Sequence, residues 1–113
     1  MEISHHQQSG VAILRIRGDI RRGDPTDELK GAIDELIESG QVKIVLNIGE
    51  VNMIDSTGIG IIVRAHTRTV ERSGGLRLVN PSKFAMQTLK IVGLLNILSI
   101  ADSEAAAVES YAE

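Results

Sequence analysis

Residues 42–63 read Val42-Lys43-Ile44-Val45-Leu46-Asn47-Ile48-Gly49-Glu50-Val51-Asn52-Met53-Ile54-Asp55-Ser56-Thr57-Gly58-Ile59-Gly60-Ile61-Ile62-Val63. From Val42 to Ile48 the run is apolar except for Lys43 and Asn47, the pattern of a central strand covered on both faces. Beyond Asp55, the residues Ile59, Ile62, Val63, His66 and Val70 recur at helical spacing. The stretch therefore reads as a buried strand, a short connection and an amphipathic helix. Ser56 stands at the junction, where its hydroxyl is expected to act as the helix N-cap.

The same alternation extends in both directions. Upstream, Val11 to Arg17 is a β-branched run closed by Gly18, and residues 2–7 can pair with it across Gln8-Ser9-Gly10. Asp24-Pro25 with Asp27 predicts the start of a helix carrying Leu29, Ile33, Leu36 and Ile37, with Gly40 at its end. Downstream, Ser73-Gly74-Gly75 ends the second helix and Leu76 to Val79 is a short strand. Asn80-Pro81 predicts a helix through Ala85, Leu89 and Val92. A last strand is expected at Ile97 to Ile100, then a helix capped by Asp102 with Ala105, Val108 and Tyr111. Strand, strand, helix and three further strand and helix pairs define an α/β layer architecture whose strand order the pattern leaves open. No repeat or linker divides residues 1–113, so one domain is expected.

Composition narrows the function classes. The 113 residues are 42% hydrophobic and 24% charged, a globular balance, with Phe84 and Tyr111 as the only aromatics. A net charge of -3 supplies no phosphate-neutralising footprint, which argues against direct nucleic-acid contact. Zero cysteines exclude disulfides, thiolate metal sites and a cysteine nucleophile. No signal-peptide pattern or run of membrane-spanning length occurs, so neither membrane insertion nor export is expected, and the reading is a cytoplasmic protein.

The strand-to-helix turn invites sharper chemistry. A serine nucleophile elbow is Gly-x-Ser-x-Gly, but Ile54 occupies the first glycine position and His66 falls on the expected core stripe of the same helix. Asp55-Ser56-Thr57-Gly58 has its glycine one place late for an aspartic protease and occurs once, where a dyad needs two carboxylates. His5-His6 has no third ligand. Gly58-Ile59-Gly60 and Gly74-Gly75 lack phosphate-loop spacing. No catalytic residue, cofactor or metal follows from these residues. Arg64, Arg68 and Arg72 form an i+4 stripe that is either a solvated face or a surface for an acidic partner.

A phosphoryl group on Ser56 is compatible with a helix start and adds about -1.5 to -2 charge beside Asp55. The same residues also fit an ordinary capping serine followed by glycines that ease packing or access. The run Ile44–Ile48, the segment Val51–Gly60 and Gly74–Asn80 resemble the STAS domain, the fold of bacterial anti-sigma factor antagonists. The likeness spans nearly the whole chain, including Gly18 and Val92-Gly93-Leu94. It implies a mixed β-sheet of about five strands with four α-helices. It also implies a phosphorylation-switched regulator that is not an enzyme. Ser56 would be phosphorylated by an anti-sigma factor serine kinase and restored by a PP2C-type phosphatase. The unphosphorylated form would bind the kinase, through Asp24, Asp55, Thr57 and Gly58, and so release sigma factor for transcription. An alternative within the same resemblance is a non-switching subunit of a larger assembly, such as a phospholipid ABC transporter or a stress-signalling complex. One position departs: similar proteins carry an acidic residue three places after the glycine matching Gly18, and this chain has Arg21, with Asp24 beyond a local insertion.

Overall fold

The computed structural model describes residues 1–112. Strands β1 (Glu2–Gln8) and β2 (Val11–Arg17) precede helix α1 (Asp24–Glu38), and β3 (Lys43–Glu50) precedes α2 (Ser56–Val70). Then follow β4 (Gly75–Val79), α3 (Lys83–Ile91), a 3-10 turn at Leu94–Asn96, β5 (Ser99–Ala101) and α4 (Glu104–Glu109). The sheet order is β1-β2-β3-β4-β5. β1 runs antiparallel to β2, and every other pair is parallel. This is the mixed five-stranded sheet with four helices that the resemblance implies.

Local chemistry explains the two kinds of connection. Ser9 and Gly10 both have positive φ, 52° and 79°, the two-residue turn whose twist matches an antiparallel hairpin. Each parallel pair needs a crossover, and α1, α2 and α3 supply them. β3 sits in the middle of the sheet, and its alternation serves two cores. Ile44, Leu46 and Ile48 pack with Leu14, Ile33, Ile62, Leu78 and Leu89 under α1, α2 and α3. Val45 faces the other way, with Val11, Ile13, Val79, Ala107 and Val108 beneath α4. The apolar run of β3 thus reflects burial on both faces.

Several boundaries fall one or two residues from expectation. The first helix is capped at Gly23 (φ 109°), where Thr26 Oγ1 accepts from the Gly23 N–H at 3.1 Å. Asp24 is already the first helical residue. Asn80 takes a left-handed turn (φ 54°), and Ser82 caps α3 by accepting from the Ala85 N–H at 3.0 Å. Ser103, and not Asp102, caps α4 through the Ala106 N–H. β5 starts later than Ile97 because Ile97 and Leu98 both donate to the Leu94 carbonyl in the 3-10 turn. The buried stripe of α2 is Gly58, Ile59, Ile62, Ala65 and Thr69, leaving Val70 exposed and His66 half-buried. Thr69 tolerates burial because its hydroxyl donates to the Ala65 carbonyl at 2.9 Å.

Candidate functional site

The ends of β2 and β3 lead into two loops that are stitched together. Between the pairs Arg15–Asn47 and Arg17–Glu50, β3 carries one more residue than β2, a bulge that re-aims its end. Beyond it the Gly18 N–H donates to Glu50 O (3.1 Å) and the Ile20 N–H to Met53 O (2.9 Å). The Asp55 N–H then donates to Ile20 O at 3.1 Å, and Ile20 bridges Ile54 in parallel. Asp19 adds a side-chain bond, its Oδ1 accepting from the Met53 N–H at 3.2 Å. Ser82, at the start of α3, supports the same loop by donating to Asn52 O.

Asp55 is the pivot. Its Oδ1 accepts from the Gly58 N–H at 2.9 Å, which makes Asp55 the N-cap of α2. Its Oδ2 accepts from the Arg22 N–H at 2.7 Å, across a separation of 33 residues. Hydrogen bonds from Gly58 and then Arg22 hold this carboxyl below the usual aspartate range, with the Arg21 guanidinium adding to the effect. The expected capping role of Ser56 therefore passes to its neighbour, because a carboxylate satisfies two orphan amides on separate elements where a hydroxyl satisfies one. Ser56 becomes the first residue of α2, exposed, its hydroxyl making no hydrogen bond to the described residues. That hydroxyl is left free for chemistry.

Thr57 is exposed beside it, and Asp24 is exposed in the first turn of α1, two residues beyond the Arg22 amide that meets Asp55. Gly58 differs: it is buried, and a Cβ there would lie 2.6 Å from Ile20 Cγ2 and 3.0 Å from Ile54 Cγ2. Its missing side chain lets the helix start settle on the loop, and does not open a path to a partner. Gly60 is the open glycine, where a Cβ would meet nothing within 4 Å.

The arginine stripe acts largely within the chain. Arg68 pairs with Asp34 of α1, and Arg72 donates to the Ile37 carbonyl at 3.2 Å near the end of that helix. Arg64 stays exposed and, with Lys30, Asp34, Thr57, Gly60 and Arg68, lines a groove of about 190 Å³ between α1 and α2. His66 lies ten residues along α2 from Ser56, roughly 15 Å of helix, so its imidazole is out of reach for a triad. Among the described residues no cluster of three histidine, cysteine or carboxylate side chains is placed to hold a metal, and no helix is long and apolar enough to cross a membrane.

Sequence reasoning missed Asp19, Ile20 and Arg22. Only an aspartate directly after the glycine that closes β2 signals the loop; the rest depends on which segment lies opposite.

The geometry agrees with what the chain is similar to. The Anti-sigma F factor antagonist of Paenibacillus polymyxa is 28% identical over 105 residues, covering 92% of this chain and 87% of the relative. The structure of the Bacillus cell fate determinant SpoIIAA in its phosphorylated form superposes with a TM-score of 0.75 at 19% identity, covering 96% of this chain and 98% of that one. A sulfate transporter family protein from Wolinella succinogenes matches with a TM-score of 0.77 at 26% identity, covering 93% and 87%. The sequence profile of the STAS domain matches residues 2–107, with β1 through most of α4 inside the match, and on that ground the chain belongs to the STAS domain family.

Proposed function

We propose that this STAS domain is an anti-sigma factor antagonist, a binding protein and not an enzyme, switched by phosphorylation of Ser56. The observation that carries the reading is the free, exposed Ser56 hydroxyl at the first position of α2, next to an Asp55 that is fully engaged in holding the two loops. An anti-sigma factor serine kinase would dock on the face formed by Asp24, Asp55, Ser56 and Thr57, with Gly58 shaping it from below. In the transfer, Ser56 Oγ attacks the γ-phosphorus of ATP, a P–O bond forms, the bond to ADP breaks, and the hydroxyl proton passes to a base of the kinase. The added charge, about -1.5 to -2, repels an acidic contact and ends the complex. A PP2C-type phosphatase returns the hydroxyl by transferring the phosphoryl group to water. The exchange belongs to the cytoplasm, where ATP is available.

The relative from Paenibacillus polymyxa supports the antagonist role, and the phosphorylated form of SpoIIAA supports a fold that accommodates a phosphate. Incubation of the chain with its cognate kinase and ATP is expected to add a single phosphate, and Ser56→Ala is expected to stay unmodified. Phosphate at another residue, or none, overturns the switch.

The likeness to a sulfate transporter family protein favours a second reading, a fixed subunit of a larger assembly. Ser56→Asp separates the two: loss of partner binding by charge alone belongs to the switch, and unchanged partner binding to the fixed subunit.

A further inference from the structure

Two consecutive arginines belong to the loop that is held against Asp55, the residue that precedes Ser56: the Arg21 guanidinium acts on the Asp55 carboxylate through its charge, and Arg22 through its backbone N–H. Arg21 is exposed, and its only ion pair among the described residues is with Asp19, Nη2 to Oδ2 at 2.8 Å. Arg22 is exposed with no ion pair among the described residues, while its N–H is held 2.7 Å from Asp55 Oδ2. Ile20 O holds the Asp55 N–H from the other side. Residues 20–22 are thus pinned against Asp55 by one backbone bond and one bond to its carboxylate, and Ser56 is the next residue along the chain.

The charges around Ser56 can be assigned element by element. From the β2–α1 loop come Asp19, Arg21 and Arg22; from the first turn of α1 come Asp24 and Asp27; from the β3–α2 loop comes Asp55; the first turn of α2 has no acidic residue. Two of the four carboxylates are already occupied, Asp19 by the Met53 N–H and Arg21, Asp55 by the Gly58 and Arg22 amides. An exposed arginine–carboxylate pair such as Arg21–Asp19 contributes little, so its guanidinium can change partner at small cost. A phosphate ester offers a stronger, bidentate acceptor than a carboxylate.

We propose that Arg21 and Arg22 form the chain's own receptor for a phosphate ester on Ser56, closing the β2–α1 loop over the modified residue. The proposal rests on Ser56 as the modified residue. Its consequence is that phosphorylation acts twice on a partner: it adds negative charge, and it withdraws two exposed cations from the binding face. Dephosphorylation then requires the loop to open.

The test installs phosphoserine at position 56 by genetic encoding, so that no kinase is needed. The phosphate is titrated by phosphorus NMR in the wild-type chain and in Arg21→Ala, Arg22→Ala and Arg64→Ala. An ordinary phosphoserine has its second ionisation at about pH 6. Removing a neighbouring cation disfavours the dianion, so Arg21→Ala and Arg22→Ala are each expected to raise that value by about half a unit or more, an apparent proton affinity increased roughly threefold. Arg64→Ala, eight residues along α2 from Ser56 and so roughly 12 Å down the helix axis, is expected to leave it unchanged. Backbone amides of residues 20–23 are expected to exchange more slowly in the phosphorylated chain than in the unmodified one. Equal titrations in wild type and both loop variants overturn the receptor, whatever the kinase assay shows. An unmodified Ser56 in the kinase assay, by contrast, overturns the switch while the titration still decides the receptor.

Discussion

At the scale of single residues, Asp55 carries more of the site's structure than Ser56 does. Its carboxylate ties the first turn of α2 to the β2–α1 loop, so Asp55→Ala removes a cap and a cross-loop staple together. The loss expected is about 1–2 kcal/mol, the range of an N-cap deletion, read from urea unfolding at pH 7. Asp55→Asn keeps an acceptor oxygen for Gly58 and should recover part of it. The pH dependence has a definite sign. A carboxyl held below its unfolded value contributes stability above about pH 4, and that contribution disappears as pH falls through the folded value. Unfolding midpoints of wild type and Asp55→Asn are therefore expected to keep their difference from neutral pH down to about pH 4 and to converge only as pH falls further, through the folded value. Ser56→Ala, lying at an exposed first helical position with no side-chain hydrogen bond to the described residues, is expected to change stability by less than about 0.5 kcal/mol. A larger loss would assign Ser56 a structural part.

Among the elements, α2 presents two glycines two residues apart with opposite environments. Gly58→Ala drives a methyl group to 2.6 Å from Ile20 Cγ2 with the Ile20 carbonyl 3.3 Å away, so the loop or the helix must shift. A destabilisation of about 1–3 kcal/mol is expected, the range for overpacking a filled site. Gly60→Ala meets open space and removes a helix-interior glycine, which is expected to stabilise by about 0.5–1 kcal/mol. Thermal unfolding of the two single variants checks both signs. The pair also shows what was legible in α2: its helical period was, whereas the choice between a packing and an open glycine was not. Ala65 and Thr69 join the buried stripe in place of His66 and Val70 because β4 and the end of α1 meet that side of the helix, and short side chains admit the approach.

Across the whole molecule, the helix on the far face of the sheet is held by polar contacts at both ends. Glu104 accepts from Arg15 Nε at 2.8 Å and Nη2 at 2.9 Å, and from Asn47 Nδ2 at 2.8 Å. Tyr111 donates to Ile44 O at 2.8 Å, and the Arg77 guanidinium stacks 4.0 Å from its ring centroid. The Arg15 hydrogen bond lowers the Glu104 carboxyl to about 2, while burial pushes the Tyr111 hydroxyl up to about 12. The two signs oppose each other. Glu104 stabilises fully above about pH 4.5 and ceases to as pH falls toward 2. Tyr111 stabilises fully below about pH 10, and its contribution is lost as pH rises toward 12. Detachment of α4 is expected at both extremes, measured by amide exchange of residues 104–111. Glu104→Gln should abolish the acid limb alone. Tyr111→Phe, which leaves the alkaline limb without its titrating group, is expected to cost roughly 1–2 kcal/mol at neutral pH.

The α/β alternation, the central place of Val42–Ile48, the hairpin at Ser9-Gly10 and the serine at the head of α2 were all determined by the sequence itself. Each is written in a run of neighbouring residues: apolar period, turn chemistry, and a polar residue where a strand gives way to a helix. Other features were decided only by the tertiary structure: that Asp55 and not Ser56 caps α2, that Gly58 is filled from outside by Ile20, and that the Arg22 amide is held against Asp55. These depend on a loop 33 residues away being brought against Asp55. Local propensity narrows a cap to a few adjacent polar residues. The choice among them goes to the side chain that satisfies the most buried or orphaned amides at once, and those amides are assembled only when β2 and β3 pair.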